Sequence, residues 1–132
     1  MVVDLSKLTQ ITVASSGLAT VQTGNRLGDI ATTLYNAGRA LPHGTCPYVG
    51  IGGHSCMPAS ALEDDSFLFI DLAFGGWGFT SRMWGLNLDP IQSLEVVLAN
   101  GTITTVSGND DLFWVCRMPL VGRFISYWFI RP

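Results

Sequence analysis

Leu41-Pro42-His43-Gly44-Thr45-Cys46-Pro47-Tyr48-Val49-Gly50-Ile51-Gly52-Gly53-His54 decides how the rest of the chain is read. The stretch has too many glycines for a helix and too many bulky apolar residues for a flexible linker. Gly44, Gly50, Gly52 and Gly53 permit positive φ and close approach to the backbone. Pro42 and Pro47 fix φ and stiffen the loop. Backbone N–H groups of such a loop can converge on an anion as a nest. Cys46 and His54 bring residue types that attack, ligate or polarise a bound group. The stretch therefore reads as a ligand cradle with one soft nucleophile over the ligand.

Upstream, Ile11 to Ala14, Ser15-Ser16-Gly17 and Leu18 to Gln22 read as a β-hairpin with a glycine-bearing turn, after a short β-favouring run from Val2 to Leu5. Asn25 is the expected N-cap of a helix from Arg26 to Ala37, with Asp29 in its first turn. Leu27, Ile30, Leu34 and Ala37 form one apolar face at helical spacing, and Gly38 is the stop.

Downstream, Met57 to Phe74 has no clear period and carries the acidic run Glu63-Asp64-Asp65. A second glycine-aromatic motif follows, Gly75 to Leu86, with Gly76, Gly78 and Ser81. Ile91 to Ala99 reads as a buried strand, Asn100-Gly101 as a type I′ turn, and Thr102 to Val106 as the returning strand. Asn109 is the expected cap of a short helix from Asp110 to Cys116. Met118 to Pro132 is apolar and aromatic without a defensible period.

The 132 residues fit one domain, and 48% hydrophobic residues can fill a core. Charged residues are 13%, against roughly 25% in an ordinary soluble domain. So dry a chain covers its apolar surface with a cofactor, a second domain or a partner chain. A net charge of −3 gives no electrostatic footprint for nucleic acid or an anionic membrane. The run from Met118 to Ile130 is broken by Arg123 and falls short of the ~20 residues that span a bilayer. The first residues lack a basic region followed by an apolar run, so no secretory signal is read there. Three cysteines, Cys46, Cys56 and Cys116, form no CxxC pair and argue against a disulfide framework.

An isolated cysteine is more often a small buried hydrophobe than a reactive group. Cys46 departs from that rule because it lies between Thr45 and Pro47 in a glycine-rich loop, off any periodic apolar face. Pairing with His43 or His54 would suit acyl transfer, but no third orienting residue or hydrolase signature accompanies it. A zinc site from Cys46, His54, Cys56 and Cys116 has no common ligand spacing. His54 reads either as a satisfied loop histidine or, after Gly52-Gly53, as a donor to a bound ligand. The second glycine motif reads as a plain turn cluster or as the opposite wall of the cradle. Trp77, Phe79 and Trp84 read as core, and the acidic run as solvated loop.

Taken together, Thr23 to Ile30, Leu41 to His54, and Gly75 to Leu86 with Asp89 and Val96 to Gly101 resemble the berberine-bridge-enzyme-like flavin oxidases of the vanillyl-alcohol-oxidase superfamily, the glucooligosaccharide-type carbohydrate oxidases above all. The resemblance covers Val2 to about Arg117 apart from Met57 to Phe74. It implies an α+β fold, a fragment of a PCMH-type FAD-binding domain with mixed sheets and flanking helices. On this reading residues 1–117 are the partial FAD domain, 57–74 an insertion extruded from it, and 118–132 a non-family tail. The family holds FAD, often by two covalent bonds. The cysteine that bonds flavin C6 matches Cys46, whereas the histidine that bonds the 8α carbon matches no residue here. His54 matches the residue that stabilises charge near flavin N1 and C2=O. Thr45, Gly50, Gly52, Gly53, Gly76, Gly78 and Ser81 would line the flavin, and Val97 would touch the adenine side through its backbone.

Relatives of this kind oxidise carbohydrates or alcohols with oxygen as acceptor, and are usually secreted. The substrate domain and the tyrosine base of the family have no match, so no catalytic residue is assigned and the chain is expected to be inactive alone. The alternative is a non-enzymatic remnant that associates with a partner through exposed apolar surface.

Overall fold

The computed structural model describes residues 4–56, 76–117 and 125–130, the last segment by its backbone. Its strands are β1 (Ile11–Val13), β2 (Ala19–Gln22), β3 (Ile91–Val97), β4 (Ile103–Ser107) and β5 (Ile125–Ile130). Its helices are α1 (Leu27–Asn36), α2 (Ile51–Cys56), α3 (Ser81–Trp84) and α4 (Asp111–Arg117). The α+β class read from the sequence is the class observed. Met57 to Phe74, expected as an extruded insertion, lies outside the described residues.

Both hairpins turn through three residues. In the first, Ala14 N donates to Leu18 O and Gly17 N to Ala14 O, with Gly17 at φ 87°. In the second, Leu98 N donates to Thr102 O and Gly101 N to Leu98 O, with Gly101 at φ 82°. A type I′ turn needs positive φ at both central residues, and no described non-glycine residue has it. The Asn100-Gly101 expectation is thereby corrected to a three-residue loop, a turn closed by Gly101 N on Leu98 O and followed by a glycine bulge. Asn100 serves it through its side chain, whose Oδ1 accepts from Thr102 N at 3.0 Å.

The strands form one five-stranded sheet in the order β1-β2-β5-β3-β4, every neighbouring pair antiparallel. The stretch after Arg117, in which the sequence shows no period, thus supplies the middle strand. β5 pairs Tyr127 with Gln22 on one side and with Glu95 on the other. Its sequence, ISYWFI, does not alternate apolar and polar residues, so periodicity does not reveal this strand. Conversely, Asp4 and Leu5 belong to no strand.

Ile91, Leu94 and Val96 of β3 are all buried. An odd spacing from Ile91 to Leu94 would put them on opposite faces of a regular strand. The register shift between Ile91 and Ser93 inserts one residue and returns Leu94 to the core side. Ala19 and Val21 of β2 and Val106 of β4 join them. Against this face pack Leu27, Ile30 and Leu34 of α1, and Phe113 and Cys116 of α4. Ala37, expected on that face, is the exposed C-cap of α1, and Gly38 follows it at φ 69° as the stop. α4 starts one residue later than expected. Asp110, not Asn109, stands at its mouth and accepts through its backbone oxygen from Phe113 N and Trp114 N.

Candidate functional site

The glycine-rich stretch enters the fold as the cap of α1. The first helical N–H groups, Leu27 and Gly28, donate to Val49 O and Pro47 O, each at 2.9 Å. Helices leave such donors to be satisfied by side chains, water or other backbone; here the loop does it. Asn25 is consequently released from capping, and its amide donates to Gln22 O at 2.9 Å and Gln10 O at 3.4 Å. Its own carbonyl accepts from Ile51 N at 3.0 Å, tying the start of α2 to the start of α1. Gly28 makes the fit possible, since a Cβ there would stand 2.9 Å from Pro47 Cβ.

Gly50 to His54 does not stay a loop. Ile51–Cys56 is helical, and Gly50, Gly52 and Gly53 have no positive φ. Of the three, Gly52 is spent on packing, since a Cβ there would lie 2.8 Å from Thr23 Cγ2, while a Cβ on Gly50 or Gly53 would meet open space. Three of the loop N–H groups that could have formed a nest are used within the fold. Gly44 N donates to His54 Nε2, Val49 N to Cys46 O and His54 N to Gly50 O, so these donors are committed inward.

A buried polar clamp joins the two glycine motifs. Asn87 Nδ2 donates to Pro42 O at 2.8 Å, and its Oδ1 accepts from Ser55 Oγ at 2.7 Å. Asn87 N donates to Gly76 O at 3.0 Å. His54, Ser55 and Asn87 are all at 0% exposure, so each of these bonds is made away from water, where an unmade one is costly. His54 Nε2 accepts from Gly44 N at 3.1 Å, so that nitrogen carries no proton. Gly76, at φ 80°, lies directly over Asn87 and His54, and a Cβ on Gly78 would overlap the carbonyl of His43. The second motif is therefore laid against the first, backbone to backbone.

Between them opens a cleft of about 240 Å³ lined by Ala40, Leu41, His43, Gly44, Thr45, Phe79, Thr80 and Trp84. Ligand pockets for whole drug-sized molecules run from about 300 Å³ upward, so this cleft suits one ring of a larger ligand. Cys46, a free and half-buried thiol, is next in the chain to Thr45 of the lining and is not itself a lining residue. Cys116 is buried in the core, and burial pushes its thiol pKa up. Cys46 is the better placed of these two thiols.

Of the residues picked from sequence, Thr45 lines the cleft, Cys46 follows Thr45 in the chain, and Gly76 and Gly78 build the second wall. Ser81 opens α3, its Oγ accepting from Gly78 N at 2.9 Å. His54 and Gly52 stand behind the first wall, not on its surface. Val97 ends β3 beside Ile103 and Ile125, away from the cleft lining. Phe79 and Trp84, read as core, are exposed at the cleft instead. Sequence reasoning weighed His43 only as an imidazole partner for Cys46, and missed Thr80, Ser55 and Asn87. Asn87 is 45 residues from Pro42 and 32 from Ser55, and no local pattern links such partners. Among the described residues, no group of three or more His, Cys, Asp or Glu side chains could hold a metal ion, and no helix is long and apolar enough to cross a membrane.

Residues 1–66 match the family described as the FAD binding domain. The chain is 46% identical over 121 residues to the xylooligosaccharide oxidase of Thermothelomyces thermophilus, covering 89% of this chain and 21% of that protein. It is 35% identical over 130 residues to berberine bridge enzyme-like 12 of Arabidopsis thaliana, covering 94% of this chain and 21% of that protein. It superposes on the crystal structure of the Acremonium strictum glucooligosaccharide oxidase with a TM-score of 0.78 at 34% identity, over 96% of this chain and 24% of that one. The FAD of that oxidase is 6-S-cysteinyl and 8α-N1-histidyl. The chain thus spans about a fifth of the relatives it matches, and by profile, sequence and fold alike it belongs to the FAD binding domain family.

Proposed function

We propose that the chain is the flavin-contacting part of an FAD-dependent oxidase of carbohydrates or alcohols, and that Cys46 carries a covalent bond to flavin C6. The carrying observation is that half-buried Cys46 directly follows Thr45, a lining residue of a cleft whose walls are clamped together by Asn87. The residues suit one ring of FAD: the cleft has apolar walls at Leu41, Phe79 and Trp84 and polar groups at His43, Thr45 and Thr80. When bound, FAD supplies the hydride-accepting ring and its reoxidation by oxygen. Thr45 would stand at the ring edge, and Gly78 lets the second wall come close. Thioether formation removes one hydrogen from Cys46 and one from flavin C6, with oxygen as oxidant and hydrogen peroxide as product.

The length of the chain relative to its relatives bears on turnover. Proton transfer by a placed side chain is worth about 10²–10⁴-fold, and none of the described residues is placed at a substrate as such a base. The chain by itself is therefore expected to bind flavin without oxidising sugar. Denaturation of the purified protein, in a form completed with the segments its relatives have, should leave yellow flavin on the polypeptide. Cys46→Ala should remove the C6 link, while Cys116→Ala keeps it. Full covalent flavin in Cys46→Ala after any other link is also removed would refute the assignment.

A second reading has support of its own. Phe79 is 80% and Met83 76% exposed on and beside α3, an apolar surface of the kind a partner chain covers. A chain that binds no flavin but forms a stable complex through α3 would favour it.

A further inference from the structure

Two polar groups in the cleft wall stand uncommitted. His43 Nδ1 lies 2.6 Å from Gly44 O, and a carbonyl oxygen can only accept, so the proton sits on Nδ1. In the neutral ring this leaves a lone pair on Nε2. Among the described residues no other group bonds that ring. The backbone that carries it is held on both sides. Pro42 O receives the Asn87 amide, Gly44 N is bonded to His54, and Gly78 lies against the His43 carbonyl. The second group is Thr80. It stands at the N-cap of α3, where threonine ordinarily bonds the helix, but its backbone is itself helical (φ −88°, ψ −3°) and its hydroxyl makes no cap bond. Around the two groups, Leu41, Phe79 and Trp84 supply apolar walls.

We propose that His43 Nε2 is the hydrogen-bond acceptor for a ring seated in this cleft, a ring with an N–H or O–H on its edge and an apolar face, and that the Thr80 hydroxyl is its second polar contact. Such a ring has two sources, the flavin, whose imide carries an N–H, or a sugar, whose edge carries hydroxyls. The first source rests on the flavin reading above; the second does not. A site built this way discriminates sharply against ring analogues lacking the donor, because Nε2 is then left facing apolar walls.

The test is side-chain nitrogen NMR of the ¹⁵N-labelled chain, with FAD in one arm and xylobiose in the other. Free protein should show the Nδ1–H tautomer at His43, and the Nε2 resonance should move with the probe that occupies the cleft. His43→Phe should weaken that probe about tenfold, the loss of one good hydrogen bond, and Thr80→Val by less. His43→Gln, whose Oε1 reaches the place of Nε2, should recover most of the affinity. His43→Asn, whose amide stands where Nδ1 stood, should not. A merely structural role would treat the two amides alike. FAD bound equally by all variants, with Nε2 unmoved in both arms, overturns this proposal and leaves the flavin reading standing. Movement with xylobiose and no FAD binding keeps the proposal and ends the flavin reading. Binding of neither probe overturns both.

Discussion

At the scale of single residues, Asn87 has the greatest influence on the site. Its amide serves Pro42 O and Ser55 Oγ, and its backbone serves Gly76 O, with the whole group out of water. Asn87→Leu keeps the volume but strands the Ser55 hydroxyl and the Pro42 carbonyl, which should cost ~1–3 kcal/mol for each group left unpaired. Ser55→Ala removes one of those stranded partners. The cost of Asn87→Leu should therefore be smaller in a Ser55→Ala background, by a coupling of ~0.5–3 kcal/mol as contacting residues show. Urea denaturation of the four proteins measures this, and strictly additive costs would mean that the clamp does not act as a unit. What the sequence shows at this scale is residue type: a cysteine and a histidine in a glycine-rich setting are visible. That His54 faces inward to Gly44, while His43 faces the cleft, depends on contacts that form after folding.

At the scale of elements, glycine carries two different jobs that look the same in one dimension. Gly101 and Gly108 both have open space where a Cβ would go, but Gly101 has φ 82° and Gly108 has no positive φ. Gly101→Ala should destabilise by about 1 kcal/mol, the penalty of a side chain in the left-handed region. Gly108→Ala should be neutral or stabilising by ~0.4–1 kcal/mol, because alanine restricts the unfolded chain. Thermal melts of the pair check this, and equal effects would show that the second hairpin does not use the left-handed turn. The same ambiguity hid α2. Gly50-Ile51-Gly52-Gly53 counts against a helix on propensity, yet Ile51 is fully buried and its N–H is taken by Asn25 O, so tertiary packing decides. The first hairpin and α1 were legible because their period and stop signals agree with their packing. The start of α1 was not, since its first N–H groups, Leu27 and Gly28, are capped by Val49 and Pro47 of a loop that comes after the helix.

At the scale of the whole molecule, the sheet is two hairpins joined through a third element. β1-β2 and β3-β4 each close on themselves, and in the order β1-β2-β5-β3-β4 they meet through β5. The last strand in the chain is thus the one on which the continuity of the sheet depends, while the sequence from Met118 onward reads as a tail with no period. Isolated two-stranded hairpins are marginal in water at best. Ending the chain at Arg117 should therefore remove more than an edge: β2 loses its partner at Ala19 to Gln22, and β3 loses its partner at Ile91 to Val97. Tyr127→Pro makes the same point without truncation. Residue 127 faces Gln22 on one side and Glu95 on the other, and proline removes a ladder donor and is excluded from central strands. Both variants should lose the cooperative thermal transition, followed by circular dichroism, and the truncated chain should expand in solution scattering. A shortened chain that still melts cooperatively at an unchanged Tm would show that β2 and β3 hold together without β5. The site would follow the sheet, because α1, whose first turn the glycine-rich loop caps, packs its Leu27, Ile30 and Leu34 into the core built on β2 and β3.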